Sequence, residues 1–128
     1  MRAPVPGDKS LPTPGPAQAQ VIRTYGPGRF LIGEREWRQA VLVTPLATVA
    51  WMVASAEELS VDVLKDAPQV EVLVVGCGAR SVFVTPTKRA AFKDAGVGLE
   101  VVDTGAACRI YNVLLAEGRR VAAALIPL

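Results

Sequence analysis

The sequence predicts a single α/β domain built on a mixed β-sheet, and three observations lead there. Residues 70–76 form a nearly continuous apolar run bounded by Pro68 and Gly76, the pattern of a strand buried on both faces. Ala107, Ile110, Tyr111, Leu114 and Leu115 recur at i, i+3, i+4, i+7 and i+8, the spacing of one helical face. The chain also opens on hairpin signals and closes as β-α-β-α-β, an order that packs helices against a partly parallel sheet.

The elements follow in order from residue 21. Residues 21–37 read as strand, a turn at Gly26-Pro27-Gly28, strand, a turn at Gly33-Glu34, and a short third strand. AVLVTP gives a buried strand that Pro45 ends, and residues 49–54, with Trp51 inside, give another. Ser55 and Ser60 are helix caps around a short stretch, residues 57–65. The central strand at 70–76 comes next. A helix over 86–95 accommodates Pro86 in its first turn and stops at Gly96. Residues 99–102 form a strand, and the periodic helix follows it. Asp103 and Thr104 offer cap oxygens, Gly118 permits a left-handed stop, and Arg119 and Arg120 suit the negative end of the helix dipole. Residues 121–126 form the last strand. Residues 1–20 hold Pro4, Pro6, Pro12, Pro14 and Pro16 and few bulky apolar side chains, so they are expected to be a disordered tail ahead of a domain over 21–128.

Composition excludes several functions. The chain has 128 residues, 51% hydrophobic and 20% charged, enough for one modest core. A formal charge of +2 without a basic run gives no footprint for nucleic acid. No run reaches the roughly 18 apolar residues of a membrane span, and Arg2 has no apolar stretch behind it, so a cytoplasmic location is expected. The chain contains no histidine, which removes the commonest general base and metal ligand. Two lone cysteines supply neither a disulfide framework nor a zinc set, so neither metal nor cofactor is expected. A mean hydropathy of +0.33 is high for this size and implies a dense core or a covered apolar surface.

The candidate site lies at the carboxyl edge of the sheet. Gly76, Cys77 and Gly78 form a tight turn there, facing the start of the helix with Asp103, Thr104, Cys108, Arg109 and Asn112. The turn lacks the third glycine of a dinucleotide site, where Ser81 stands, and no Gly-Lys-Ser/Thr follows for a phosphate loop. Cys108 sits near a helix start beside Arg109, two features that favour a thiolate, yet it has no histidine to take its proton. Arg109 and Asn112 share a side of the helix, positioned either for a carboxylate or phosphate or for backbone carbonyls in the turn after Gly76. Asp103 is most simply a cap, and Glu117 with Arg120 a surface pair.

The run DT-x-AACR-x-YN-x-LL-x-EGR-x-VAAAL, with Tyr25-Gly26, Gly28, Phe30, Trp51 and VLVVGCG, resembles a specific family over about residues 21–126. That family contains the mitochondrial assembly factor 3 of respiratory complex I and the adipogenesis-associated Mth-domain protein. Cys77 stands where the family generally has threonine. The resemblance implies a three-layer α/β domain, a central mixed sheet flanked by helices with an additional small β layer. It also implies a protein without established catalysis that binds respiratory-complex subunits or other assembly factors. The expected function is thus a non-catalytic interaction module associated with the inner face of the membrane through its partners, and capable of forming a homo-oligomer. The alternative is a small-molecule-binding protein or enzyme using the cleft between the Gly76–Gly78 turn and the helix starting near Thr104.

Overall fold

The structure is a computed structural model that describes residues 20–128; the tail expected over the first twenty residues lies, but for Gln20, outside the described residues. Two sheets form. Strands β1 (Ile22–Gly26), β2 (Arg29–Ile32) and β3 (Arg35–Trp37) make an antiparallel meander, turned at Gly28 and Gly33, both with φ near +60 to +71°. The central sheet contains β4 (Val41–Val43), β5 (Thr48–Ala50), β6 (Val72–Gly76), β7 (Gly98–Val102) and β8 (Val121–Leu125) in the order β5-β4-β8-β6-β7. β8 runs parallel to β6 and antiparallel to β4, so the last strand is the seam where the two halves of the mixed sheet meet.

Alternation along these strands makes two cores. Leu42, Leu73, Val75, Ala122 and Ala124 face one side, where they meet Trp51, Leu59, Val84 and Phe92. Val41, Val43, Val74, Val121, Ala123 and Leu125 face the other and meet Ile22, Phe30, Ile32, Ala107 and Tyr111. Helix α1 (Pro86–Asp94) packs on the first side, and α2 (Thr104–Ala116) shares the second with the small sheet. The result is the three-layer α/β domain with an added β layer that the sequence predicts.

Both helices start and stop as their sequences dictate. Thr85 caps α1 by accepting the Lys88 N–H, Pro86 takes the first turn, and Gly96 follows with φ +80°. Asp103 Oδ1 accepts the Ala106 N–H at 2.9 Å, and Gly118 closes α2 with φ +78°.

Two expectations are corrected. The strand expected over 49–54 ends at Ala50: past the buried Trp51 the Val53 N–H turns back to the Trp51 carbonyl at 2.9 Å and leaves the ladder. The helix expected over 57–65 is instead two 3-10 turns, Ala56–Glu58 and Val61–Asp66, each capped by its own serine. Ser60 bonds the Asp62 N–H and so restarts the chain where a continuous helix would need an uninterrupted ladder.

Phe92 is the fully buried anchor of α1. Phe92→Ala is expected to cost about 3–5 kcal/mol, read as a lowered urea midpoint with an unchanged slope.

Candidate functional site

At the carboxyl edge of the sheet the chain fastens onto itself. Thr104 is fully buried. Its N–H donates to the Gly78 carbonyl at 2.9 Å, and its Oγ1 accepts the Gly78 N–H at 2.8 Å. The same hydroxyl donates to the Ile126 carbonyl at 2.6 Å. The Ile126 N–H reaches Gly76 O and the Cys77 N–H reaches Val102 O, both at 2.9 Å. One side chain therefore ties the ends of β6 and β8 to the start of α2, and a backbone bond joins the end of β7 to them. Gly76 is required by this closeness: a Cβ there would lie 2.9 Å from Leu125 Cδ2 and 3.0 Å from both Ala107 Cβ and Thr104 Cα.

Arg109 and Asn112 do share one side of α2, and that side faces β1. Asn112 makes a reciprocal pair with Ile22, accepting its N–H at 3.0 Å and donating to its carbonyl at 2.8 Å. Arg109 Nη1 donates to the Tyr25 hydroxyl at 3.3 Å on an exposed surface. The carbonyl that Asn112 bonds thus belongs to β1 and not to the turn after Gly76. Tyr111 donates its hydroxyl to Gln20 O at 2.9 Å, and burial pushes its phenol well above the usual range. Three residues here were not singled out in the sequence. Gly105 admits the Tyr25 hydroxyl, which would stand 2.9 Å from a Cβ, and its signal was a glycine one step inside a helix start. Gln20 and Tyr111 read only as tail and core.

The thiols are quiet. Cys108 is buried, and desolvation raises its pKa to about 12 despite the opposing charge of Arg109. Burial also raises Cys77, partly offset by its bond to Val82. Asp103 is occupied as the α2 cap. The carboxylate that meets the arginines after α2 is Glu71, where Glu117 was expected: Arg119 Nε donates to Glu71 Oε2 at 3.0 Å and the Arg120 N–H at 3.1 Å. Those bonds hold Glu71 below its usual pKa. Among the described residues no three His, Cys, Asp or Glu side chains converge as a metal set.

The opposite, amino edge of the sheet carries a groove of about 770 Å³. Its walls come from the end of α2 (Leu115, Ala116), the start of β8 (Val121, Ala122), the 67–70 turn and the Pro45–Leu46 corner. Of the eight candidate residues, Asn112 alone lines it.

These features define a three-layer α/β domain whose last helix spends its polar groups largely on the chain's own backbone. The chain belongs to the family described as protein of unknown function DUF498/DUF598, whose model matches residues 22–126. It is 39% identical over 111 residues to a Danio rerio protein named NADH dehydrogenase [ubiquinone] 1 alpha subcomplex assembly factor 3, covering 84% of this chain but 64% of that one. This chain thus spans just under two thirds of that relative. An uncharacterised Rhodobacter capsulatus protein is 37% identical, with 90% of each chain covered. A solution structure of a Bordetella pertussis Mth938-like domain superposes with a TM-score of 0.75 at 28% identity, covering 93% of this chain and 92% of that one.

Two outcomes follow from this geometry. Thr104→Val leaves the Gly78 N–H and Ile126 carbonyl without their partner and should cost about 2–4 kcal/mol in chemical unfolding. Cys108 should react with iodoacetamide at pH 8 about three orders of magnitude more slowly than in the urea-unfolded chain, because its thiolate fraction falls by that factor.

Proposed function

We propose that this chain is a non-catalytic protein-interaction module that helps assemble a respiratory or membrane complex. It works from the cytoplasm against the inner face of the membrane, held there by its partners. The carrying observation is where the signature residues spend their polar groups. Thr104, Asp103, Asn112 and Tyr111 all bond the chain's own backbone, leaving little for a substrate. Large apolar side chains meanwhile stand at the surface: Leu46, Met52 and Phe83 are 75%, 83% and 77% exposed. Such groups are what a partner surface covers. The assembly-factor names of several relatives support the same reading. Among the described residues no helix is long and apolar enough to cross a membrane. Self-association through the same exposed residues fits this reading.

The small-molecule alternative would have to use the outer side of the Gly76–Gly78 turn. Gly76, Gly78 and Thr104 are engaged with one another on the inner side, which leaves Cys77 and Arg109 as its polar groups.

Affinity capture of the full chain from native membranes in mild detergent tests the proposal. Recovery of respiratory-complex subunits or assembly proteins is expected, with loss on the double change Met52→Asp and Phe83→Asp. Capture of the chain alone, or of partners indifferent to that double change, would sink it.

A further inference from the structure

The groove at the amino edge of the sheet has a chemistry of its own, although it shares Leu46 with the partner surface. At about 770 Å³ it falls within the range of small-molecule sites, roughly 300–1,000 Å³. Its walls are mainly apolar, contributed by Val21, Pro45, Leu46, Val70, Leu115 and Val121. Two of the polar side chains beside them are already used. Asn112 is locked to Ile22, and Thr44 Oγ1 donates to Ala47 O at 3.1 Å.

Charge enters at one end only. Arg119 and Arg120 are the charged residues of the lining, and both sit at the corner where α2 gives way to β8. Each is held by its Nε: Arg119 on Glu71 Oε2, Arg120 on the Gln69 carbonyl at 2.8 Å. A guanidinium anchored at Nε is pre-aimed through its two Nη groups, the fork that matches a carboxylate. Glu71 neutralises Arg119, so the net positive charge at this corner belongs to Arg120. Gln69, whose carbonyl seats Arg120, has φ +65°, a left-handed conformation in a residue other than glycine. Strain of that kind is stored where a local geometry is required.

An apolar trough with a fixed cation at one end selects its occupant. A peptide strand would bring an N–H and a carbonyl at every residue into walls that have little to offer them, and each unpaired group carries a desolvation cost. An aliphatic chain brings none, and each methylene it buries contributes about 0.8 kcal/mol. We propose that this groove binds a single amphiphile, an unbranched aliphatic chain ending in one carboxylate. The carboxylate sits on Arg120, and the chain runs between Leu115 and the Pro45–Leu46 corner toward Val21.

The test titrates the full-length, nitrogen-15-labelled chain with dodecanoate, dodecyl maltoside and dodecyltrimethylammonium, each below its micelle-forming concentration. Dodecanoate is expected to give saturable shifts confined to the amides of Val70, Leu115, Gly118 and Val121. It should bind about tenfold more tightly than the cationic amphiphile, the difference a charge-assisted pair supplies. Arg120→Gln should shrink that preference to about threefold or less. Ala116→Trp, on the exposed face of α2 where it meets the groove, should abolish the shifts and leave the rest of the spectrum in place. Equal affinity for all three amphiphiles, shifts spread to Met52 and Phe83, or no shift at all would overturn the proposal. Residues 1–19 are the competing occupant, since they join the described chain at Gln20 on this rim, where its N–H bonds Pro45 O. Both cores lie within residues 20–128. Binding by a chain of 20–128 but not by the full chain would give the groove to that segment and likewise overturn the proposal. No partner protein takes part, so a negative result here leaves the capture experiment untouched.

Discussion

The fold depends on the fully buried hydroxyl of Thr104. A hydroxyl has one proton to give and two lone pairs to fill, and here it serves Gly78 and Ile126 at once. In a parallel sheet the strand ends and the helix start each leave backbone groups that no ladder satisfies. Thr104 collects two of them at one point, on the chain's own groups. Gly76 and Ala107 then have to be small, because a Cβ on Gly76 would already lie 3.0 Å from Ala107 Cβ and from Thr104 Cα. Leu125 covers the junction from β8. The short spacing, the small residues and the buried hydroxyl are parts of one constraint.

That constraint explains what the sequence disclosed and what it hid. The helix face of Ala107, Tyr111, Leu114 and Leu115 was legible because burial imposes a period. Gly96 and Gly118 were legible because left-handed termini select glycine. The candidate set was recovered only in outline. Asp103, Thr104, Cys108, Arg109 and Asn112 do share α2 and its cap, but the partners of Asn112 and Arg109, Ile22 and Tyr25, lie more than eighty residues away in β1. No local pattern encodes a contact of that span. Around Trp51, β-forming neighbours predict a strand that the turn at Val53 interrupts. The groove escaped notice for a different reason. Pro45 and Pro68 read only as strand boundaries in the sequence, and only the sheet order brings those corners together at one edge.

The two ends of the sheet divide the chemistry. In α/β proteins the carboxyl edge usually receives the ligand, because helix starts point their free N–H groups there. In this domain that edge is spent on structure, with Asp103 on the α2 amides and Thr104 on the turn. The thiol of Cys108, buried behind them, is kept protonated by desolvation. The unsatisfied apolar surface lies instead at the amino edge and along the exposed residues Leu46 and Met52. A domain arranged in this way offers contact area more readily than reactive groups.

The position of β8 has a consequence for how the chain reaches this state. Residues 121–125 are the latest strand in the described chain, yet they lie between β4 and β6 in the middle of the sheet. Until they arrive, β4–β5 and β6–β7 are two separate ribbons with open inner edges, and neither core has its floor of Ala122, Ala123 and Ala124. Pairings of such high sequence separation are slow to form and leave strand edges uncovered while they wait. During synthesis the domain cannot close until residue 125 has left the ribosome. Its period of greatest exposure to aggregation is therefore the interval between the emergence of β6 and that of β8.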